Sequence, residues 1–279
     1  MKLFSLIADN FMLDGGACFG VVPKSLWMKS YPVDKNNLLK IPDRCLLIQD
    51  GEKLILVDNG IGDKQDEKFY SYRYMFGEDS LEKSFKKHGF NFDDVTDVIL
   101  THLHFDHCGG GIKYSSDKTK FEATFKNARY WCSKQQWDWA INPNKREKPS
   151  FLKENILPMQ ELGLINFIHE DTDFTANVKL NLFNGHTMGQ IIPFVRYKGK
   201  TFVFMADFIP TSAHIPLSYI PSFDVHPLIT LKEKEEFLKK ASEEEYVLIF
   251  EHDYYVECCT VERIEKNIRI KEKFIIDEI

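Results

Sequence analysis

His102, His104, Asp106 and His107 occupy one six-residue stretch, His102-Leu103-His104-Phe105-Asp106-His107. Three imidazoles and a carboxylate this crowded cannot all be buried cheaply unless a positive charge holds them together. Neutral imidazole and carboxylate are ordinary ligands for zinc and its first-row neighbours, so a divalent cation is the expected occupant. The strand-like run Thr96-Asp97-Val98-Ile99-Leu100 precedes the motif, and Cys108-Gly109-Gly110-Gly111 follows it. If strand geometry continues, His102 and His104 leave the backbone on the same side. Asp106 and His107 then come from a loop that opens a helix, with the glycines allowing close backbone approach.

Three later residues stand where strand-like runs end. His186 follows Val178 to Phe183, Asp207 ends Phe202-Val203-Phe204-Met205-Ala206-Asp207, and His252 follows Tyr246 to Phe250. Any one of them alone reads as a satisfied polar residue. Together with the motif they make a set of five histidines and two aspartates, enough donors for two metals.

The elements that must position these residues follow from pattern. Residues 44–50 and 53–58 flank Gly51-Glu52 and read as a β-hairpin. Leu81 to His88 reads as a helix stopped by Gly89, and Arg129 to Cys132 as a strand followed by a Ser133-capped helix through Trp139. Pro143, Pro149 and Pro158 interrupt the next stretch. Strands are expected at 178–183, 191–197, 201–205 and 246–250, and helices at 231–241 and 261–273. Strand clusters separated by helices are satisfied by two sheets packed face to face with helices outside. No short repeat or low-complexity linker divides the chain, so residues 1–279 are expected to form a single domain.

Composition narrows the function classes. A chain of 279 residues can bury a large core. The net charge of -6, with signs mixed along the chain, offers no basic stripe for nucleic acid. No apolar run approaches a membrane span, and the N-terminus lacks the apolar core of a secretory signal. The six cysteines show no Cys-x-x-Cys spacing, so reduced, buried thiols and a cytoplasmic location are expected.

The motifs Thr101-His102-x-His104-x-Asp106-His107, Gly185-His186-Thr187, Asp207 and His252 resemble those of the metallo-β-lactamase-fold hydrolases, and Val57-Asp58-Asn59-Gly60 is similar to that family's Asp-x-Gly turn. The likeness runs from about residue 44 to 252. It implies an α/β fold, an αββα sandwich of two mixed β-sheets flanked by helices. It also implies two divalent metal ions, Zn2+ first and Fe, Mn or Co otherwise. His102, His104 and His186 would hold one, Asp106, His107 and His252 the other, and Asp207 would bridge them.

The segment Asp14 to Trp27 is similar to the start of the quorum-quenching N-acyl-homoserine lactonase branch. That resemblance implies a dinuclear hydrolase opening a lactone or ester by attack of a metal-bridging hydroxide, with Asp106 passing a proton to the leaving group. A phosphotriesterase or aryl-ester hydrolase on the same metals is the alternative. One departure stands out: several lactonases place a tyrosine three residues after the bridging aspartate, and here that residue is Pro210. His214 or Tyr219 must then supply any side-chain donor. Phe19 and Trp27, with Trp137, Trp139 and Phe223 behind them, are the expected walls for an acyl chain. Asp58 is read both as a turn residue and as a partner for a ligand imidazole, and His88, His169 and His226 as surface residues. The expected partner is a small-molecule substrate, without nucleic acid or membrane, and the candidate assembly is a homodimer.

Overall fold

A computed structural model describes residues 1–265 and 267–278. Its strands are β1 (Lys2–Asp14), β2 (Leu38–Asp50), β3 (Lys53–Val57), β4 (Asp97–Ile99), β5 (Ile112–Tyr114), β6 (Phe121–Ala123), β7 (Arg129–Ser133), β8 (Ile165–Ile168), β9 (Thr172–Asp173), β10 (Val178–Phe183), β11 (Gln190–Tyr197), β12 (Lys200–Phe204), β13 (Val247–Ile249), β14 (Cys258–Ile264) and β15 (Asn267–Phe274). The helices are α1 (Gly15–Phe19), α2 (Lys24–Trp27), α3 (Glu67–Ser71), α4 (Leu81–Lys87), α5 (Phe105–Cys108), α6 (Lys134–Ile141), α7 (Lys153–Glu161) and α8 (Pro227–Glu243). One mixed sheet has the order β1-β2-β3-β4-β7-β8, a second β15-β14-β13-β12-β11-β10-β9, and β5 and β6 form a small ribbon. The fold is mixed α/β, with mixed sheets flanked by helices.

The chain divides into two compact units. The first comprises Met1–Asn10, Asp43–Thr172 and Gly189–Ile191, and the second Phe11–Pro42, Asp173–Met188 and Ile192–Ile279. In the first, β2 turns into β3 through the expected hairpin, with Asp50 opposite Lys53. The strands β3, β4 and β7 then run parallel, pairing Val57 with Ile99 and Ile99 with Trp131. Their inward residues (Leu54, Leu56, Val98, Tyr130, Cys132) join Phe85, Phe125, Trp137 and Met159 in one buried cluster. Ser80 and Ser133 cap α4 and α6 by accepting backbone N–H groups.

In the second unit β12 and β13 are parallel, and Phe204 pairs with Ile249. The described residues of 261–273 (Lys266 lies outside them) are not the helix that their charge density suggested: β14 and β15 form an antiparallel hairpin, with Glu262 opposite Arg269 and Arg263 opposite Ile268. The period is two, because Ile268 and Ile270 alternate with exposed Arg269 and Lys271. Charged residues on a half-exposed strand imitate an amphipathic helix in composition while differing in period. All six cysteines are buried thiols outside any disulfide, as expected. Among the described residues no helix is long and apolar enough to cross a membrane.

In the first unit Asp9 of β1 accepts the Ile61 N–H at 3.0 Å and so clamps the turn after β3. Burial pushes its pKa up to about 6, against the pull of the Ile61 and Gly62 amides. The folded chain therefore holds this proton longer than the unfolded chain does, and stability drains away as pH rises from about 4 to about 6. Asp9→Asn keeps an acceptor without the charge. Thermal melts from pH 4 to 8 should show the wild type losing midpoint relative to D9N across that window, with D9N the more stable by a few degrees at pH 7; parallel curves would contradict this.

Candidate metal centre

In the first unit the site begins at Asp58, just beyond β3, in the left-handed region (φ 57°) with its N–H on Ile99 O. The carboxylate is fully buried. Oδ1 accepts the Thr101 N–H at 2.7 Å, and Oδ2 accepts the Thr101 hydroxyl at 2.6 Å and His107 Nδ1 at 3.0 Å. Both readings of Asp58 hold, turn residue and imidazole partner. Since the Thr101 hydroxyl donates to Asp58, it is left to accept from His102 Nδ1, 3.1 Å away.

Strand β4 ends at Ile99, so His102 and His104 do not share a strand face; the irregular chain beyond it brings them together instead. His104 Nε2 meets Glu147 Oε1 at 3.0 Å, and Glu147 Oε2 accepts Trp139 Nε1 and Asn144 Nδ2. Asp106 and His107 lie on α5, with His107 Nε2 3.9 Å from Asp106 Oδ1.

The close approach of two loops holds this arrangement. Asn59 N–H bonds His107 O and Gly110 N–H bonds Gly60 O. A Cβ on Gly109 would lie 1.9 Å from Ile61 O, and one on Gly110 2.2 Å from Asn59 O. Only glycine lets the backbone after the motif lie against the turn after β3.

In the second unit the parallel register places Asp207 three residues past Phe204 and His252 three past its partner Ile249, at the carboxyl ends of adjacent strands. His252 Nε2 lies 2.9 Å from Asp207 Oδ1, and His186 Nε2 lies 3.1 Å from Asp207 Oδ2. Ala206, just before Asp207, has a positive φ of 41°. His186 Nδ1 faces Asp224 Oδ1 at 2.9 Å, and Thr230 donates to the other Asp224 oxygen. His252 Nδ1 faces Pro42 O at 3.0 Å.

These contacts test whether the residues fit a metal. Carboxylates and carbonyls only accept, as does the Thr101 hydroxyl oxygen once its proton is given to Asp58, so each fixes the proton on the ring nitrogen that it faces. His102, His107, His186 and His252 thereby carry Nδ1–H and direct an Nε2 lone pair away from it; His104 carries Nε2–H and directs Nδ1. In the first unit the lone pairs of His102 Nε2 and His104 Nδ1 then meet at 2.9 Å. In the second, two lone pairs meet the Asp207 carboxylate. Both arrangements repel unless cations lie among them. Burial opposes a charge on His186, yet Asp207 and Asp224 push its pKa up to about 10, which expresses the same demand for a positive charge. All seven side chains belong to groups able to hold a metal ion. Cys108 is no competitor, since burial pushes its thiol up to about 12 and its sulfur bonds Leu103 O.

The other expected site residues fare differently. His214 is 2 % exposed, with Nε2 on Cys18 O at 2.9 Å and Nδ1 on the Thr211 hydroxyl at 2.7 Å. Burial pushes its pKa down to about 3. Both ring nitrogens are committed, so it has none to offer a substrate. Phe19 is 0 % exposed, stacked between Trp27 (4.7 Å) and His214 (4.4 Å), and Trp27 is 1 % exposed. This stack is interior packing and corrects the reading of Phe19 and Trp27 as pocket walls. Trp137 is core and Trp139 serves Glu147, whereas Phe223 is exposed. Tyr219 is half-buried with its ring edge-on to Phe19. Of the three histidines read as surface residues, His169 is exposed, whereas His88 is half-buried against the Phe4 ring and His226 is half-buried and bonds Asn184 O.

Glu147 and Asp224 were missed, because each meets its histidine across 43 and 38 positions of sequence. Neither stands in a motif; Glu147 carries only the signal of an acid in a proline-interrupted loop.

Comparison with known proteins agrees with this geometry. Residues 42–252 match the metallo-β-lactamase superfamily, and the chain belongs to it: it is a metal-dependent hydrolase. An N-acyl homoserine lactonase of Bacillus thuringiensis is 23 % identical over 284 aligned positions, spanning 98 % of each chain. A solved structure of a probable metal-dependent hydrolase from Staphylococcus aureus has a TM-score of 0.90 at 26 % identity, over 98 % of this chain and 96 % of that one. The dizinc quorum-quenching lactonase AidC, solved with a product, shares the fold at a TM-score of 0.78 and 22 % identity, over 98 % of this chain and 95 % of that one.

If Glu147 fixes the His104 tautomer, Glu147→Gln should loosen metal retention by about 10- to 100-fold. Competition with a chromophoric chelator reads this directly, with circular dichroism unchanged; wild-type retention would show that Glu147 serves only Trp139 and Asn144.

Proposed function

We propose that the two donor sets converge on one pair of divalent cations, zinc first, and that the units work as a single domain, residues 1–279, hydrolysing a lactone or ester of the N-acyl homoserine lactone kind. The supporting observation is that all five imidazoles have one nitrogen tied to a protein partner and the other directed at a ligand atom of the set. His102, His104 and His186 would hold one ion and Asp106, His107 and His252 the other, with Asp207 between them. Bound there, the cations would lower the pKa of a water and polarise the substrate carbonyl.

The remaining chemistry belongs to the chain's own residues. Asp106, 13 % exposed at its side chain, is the carboxylate able to carry a proton from the nucleophilic water to the leaving alkoxide. Tyr219 takes the donor role left open by Pro210. Its phenol is on a half-buried side chain and has no protein partner among the described residues, whereas both His214 nitrogens are committed. The Phe19–His214 stack then backs the Tyr219 ring and keeps water from its inner edge.

Metal analysis by mass spectrometry, followed by turnover of lactones, aryl esters and an aryl phosphotriester with and without chelator, tests this reading. Two ions per chain and chelator-sensitive lactone opening are expected, with the phosphotriester at least tenfold slower. A preference for the phosphotriester would move the assignment to that class. His104→Ala and Asp207→Ala should each lose metal and turnover together; activity with full metal content in either would refute the ligand set. Tyr219→Phe should lower kcat by about 100-fold with metal content unchanged, the order of effect of losing one oxyanion donor.

A further inference from the structure

Lys234 lies two turns into α8 and is 1 % exposed. Among the described residues its ammonium meets no carboxylate. It donates to Pro216 O and Tyr219 O, both at 2.8 Å, and lies 3.5 Å from Leu217 O. Burying an ammonium is costly unless its donors are satisfied, and a methionine would fill similar volume without that cost. What the charge supplies is a fixed position for one turn of chain. That turn closes on itself through Tyr219 N–H to Pro216 O, and it ends in Tyr219.

The segment carrying this turn starts at the backbone of a candidate ligand of the same unit, His252. Pro210 O accepts the His252 backbone N–H, and the chain then passes through Thr211 to His214 into residues 216–219. The neighbouring helix residue grips the opposite side. Glu233 accepts the N–H groups of Asn184 and Gly185, immediately before His186. Two consecutive residues of α8 thus hold the chain before a candidate ligand and the chain before Tyr219. Burial pushes the Lys234 pKa down to about 7 against the pull of Asp224, so the carbonyl contacts hold a group whose charge burial itself disfavours.

We infer that Lys234 is a positioning residue for hydrolysis, acting through the backbone of Pro216–Tyr219 to aim the Tyr219 phenol. This rests on the donor role proposed for Tyr219, and the inference belongs to residues outside the metal ligands. A purely structural staple would alter stability without coupling to Tyr219.

The test uses the metal-loaded enzyme and its K234M, K234Q, Y219F and K234M/Y219F variants. K234M should lower kcat on the lactone about tenfold with metal content unchanged, and the amides of Ile215 and of residues 217–220 should exchange with deuterium at least tenfold faster. K234Q, which keeps two N–H donors on a shorter side chain, should fall between, and it carries the comparison if K234M does not fold. The double variant should be no slower than Y219F within twofold, because the interaction is already gone. If Y219F is unimpaired, the role given to Tyr219 fails. If Y219F is impaired but K234M is not, if the two losses multiply, or if the exchange of these amides is unchanged, the assignment of Lys234 fails.

Discussion

A buried acceptor behind each histidine is the constraint on which the rest of the structure depends. Asp58 stands behind His107 and, through Thr101, behind His102; Glu147 stands behind His104, Asp224 behind His186, and Pro42 O behind His252. A neutral imidazole is both donor and acceptor, and a free one would rotate to satisfy both ends within the protein. Committing one nitrogen leaves the other as a directed lone pair, which is what a divalent cation requires. Each unit accepts repulsion as the condition for donors that call for positive charge, between the His102 and His104 lone pairs in the first and between those of His186 and His252 and the Asp207 carboxylate in the second.

Holding such a site sets demands on the backbone. Three buried carboxylates (Asp58, Asp224 and Glu147) must be met by several donors each, or burial would raise their energy beyond what the fold can sustain. Thr101, Trp139, Asn144 and Thr230 meet that demand. The interlock of Gly109 and Gly110 with Asn59 and Ile61 serves it too, since it fixes His107 relative to Asp58 through Asn59 N–H on His107 O. Residues that never touch a substrate are therefore as tightly constrained as those that would.

Much of this was legible from the sequence, and the exceptions have a common cause. The donors in His102 to His107 are local in sequence, so their spacing alone announced them. The hairpin at Gly51-Glu52, the Ser133 cap and the helix stop at Gly89 rest on turn and cap chemistry that acts within four residues. The hairpin of β14 and β15 was misread because mixed charges dominate its composition, while the decisive cross-strand pairs, such as Glu262 with Arg269, appear only once the chain folds back. Phe19 and Trp27 looked like ligand walls because an aromatic side chain reads the same whether it stacks on a substrate or on His214.

The sequence by itself determined the kind of chemistry: a cluster of imidazoles and carboxylates at strand ends, suited to divalent cations and hydrolysis. It could do so because ligand identity is a property of side-chain type, and because short-range spacing survives in one dimension. Tertiary structure alone decided which nitrogen of each ring faces a protein acceptor, that Glu147 and Asp224 do the fixing, that His214 is spent on packing, and that Lys234 grips the turn before Tyr219. These are hydrogen bonds between residues far apart in the chain, and their geometry exists only where folding brings the partners within about 3 Å.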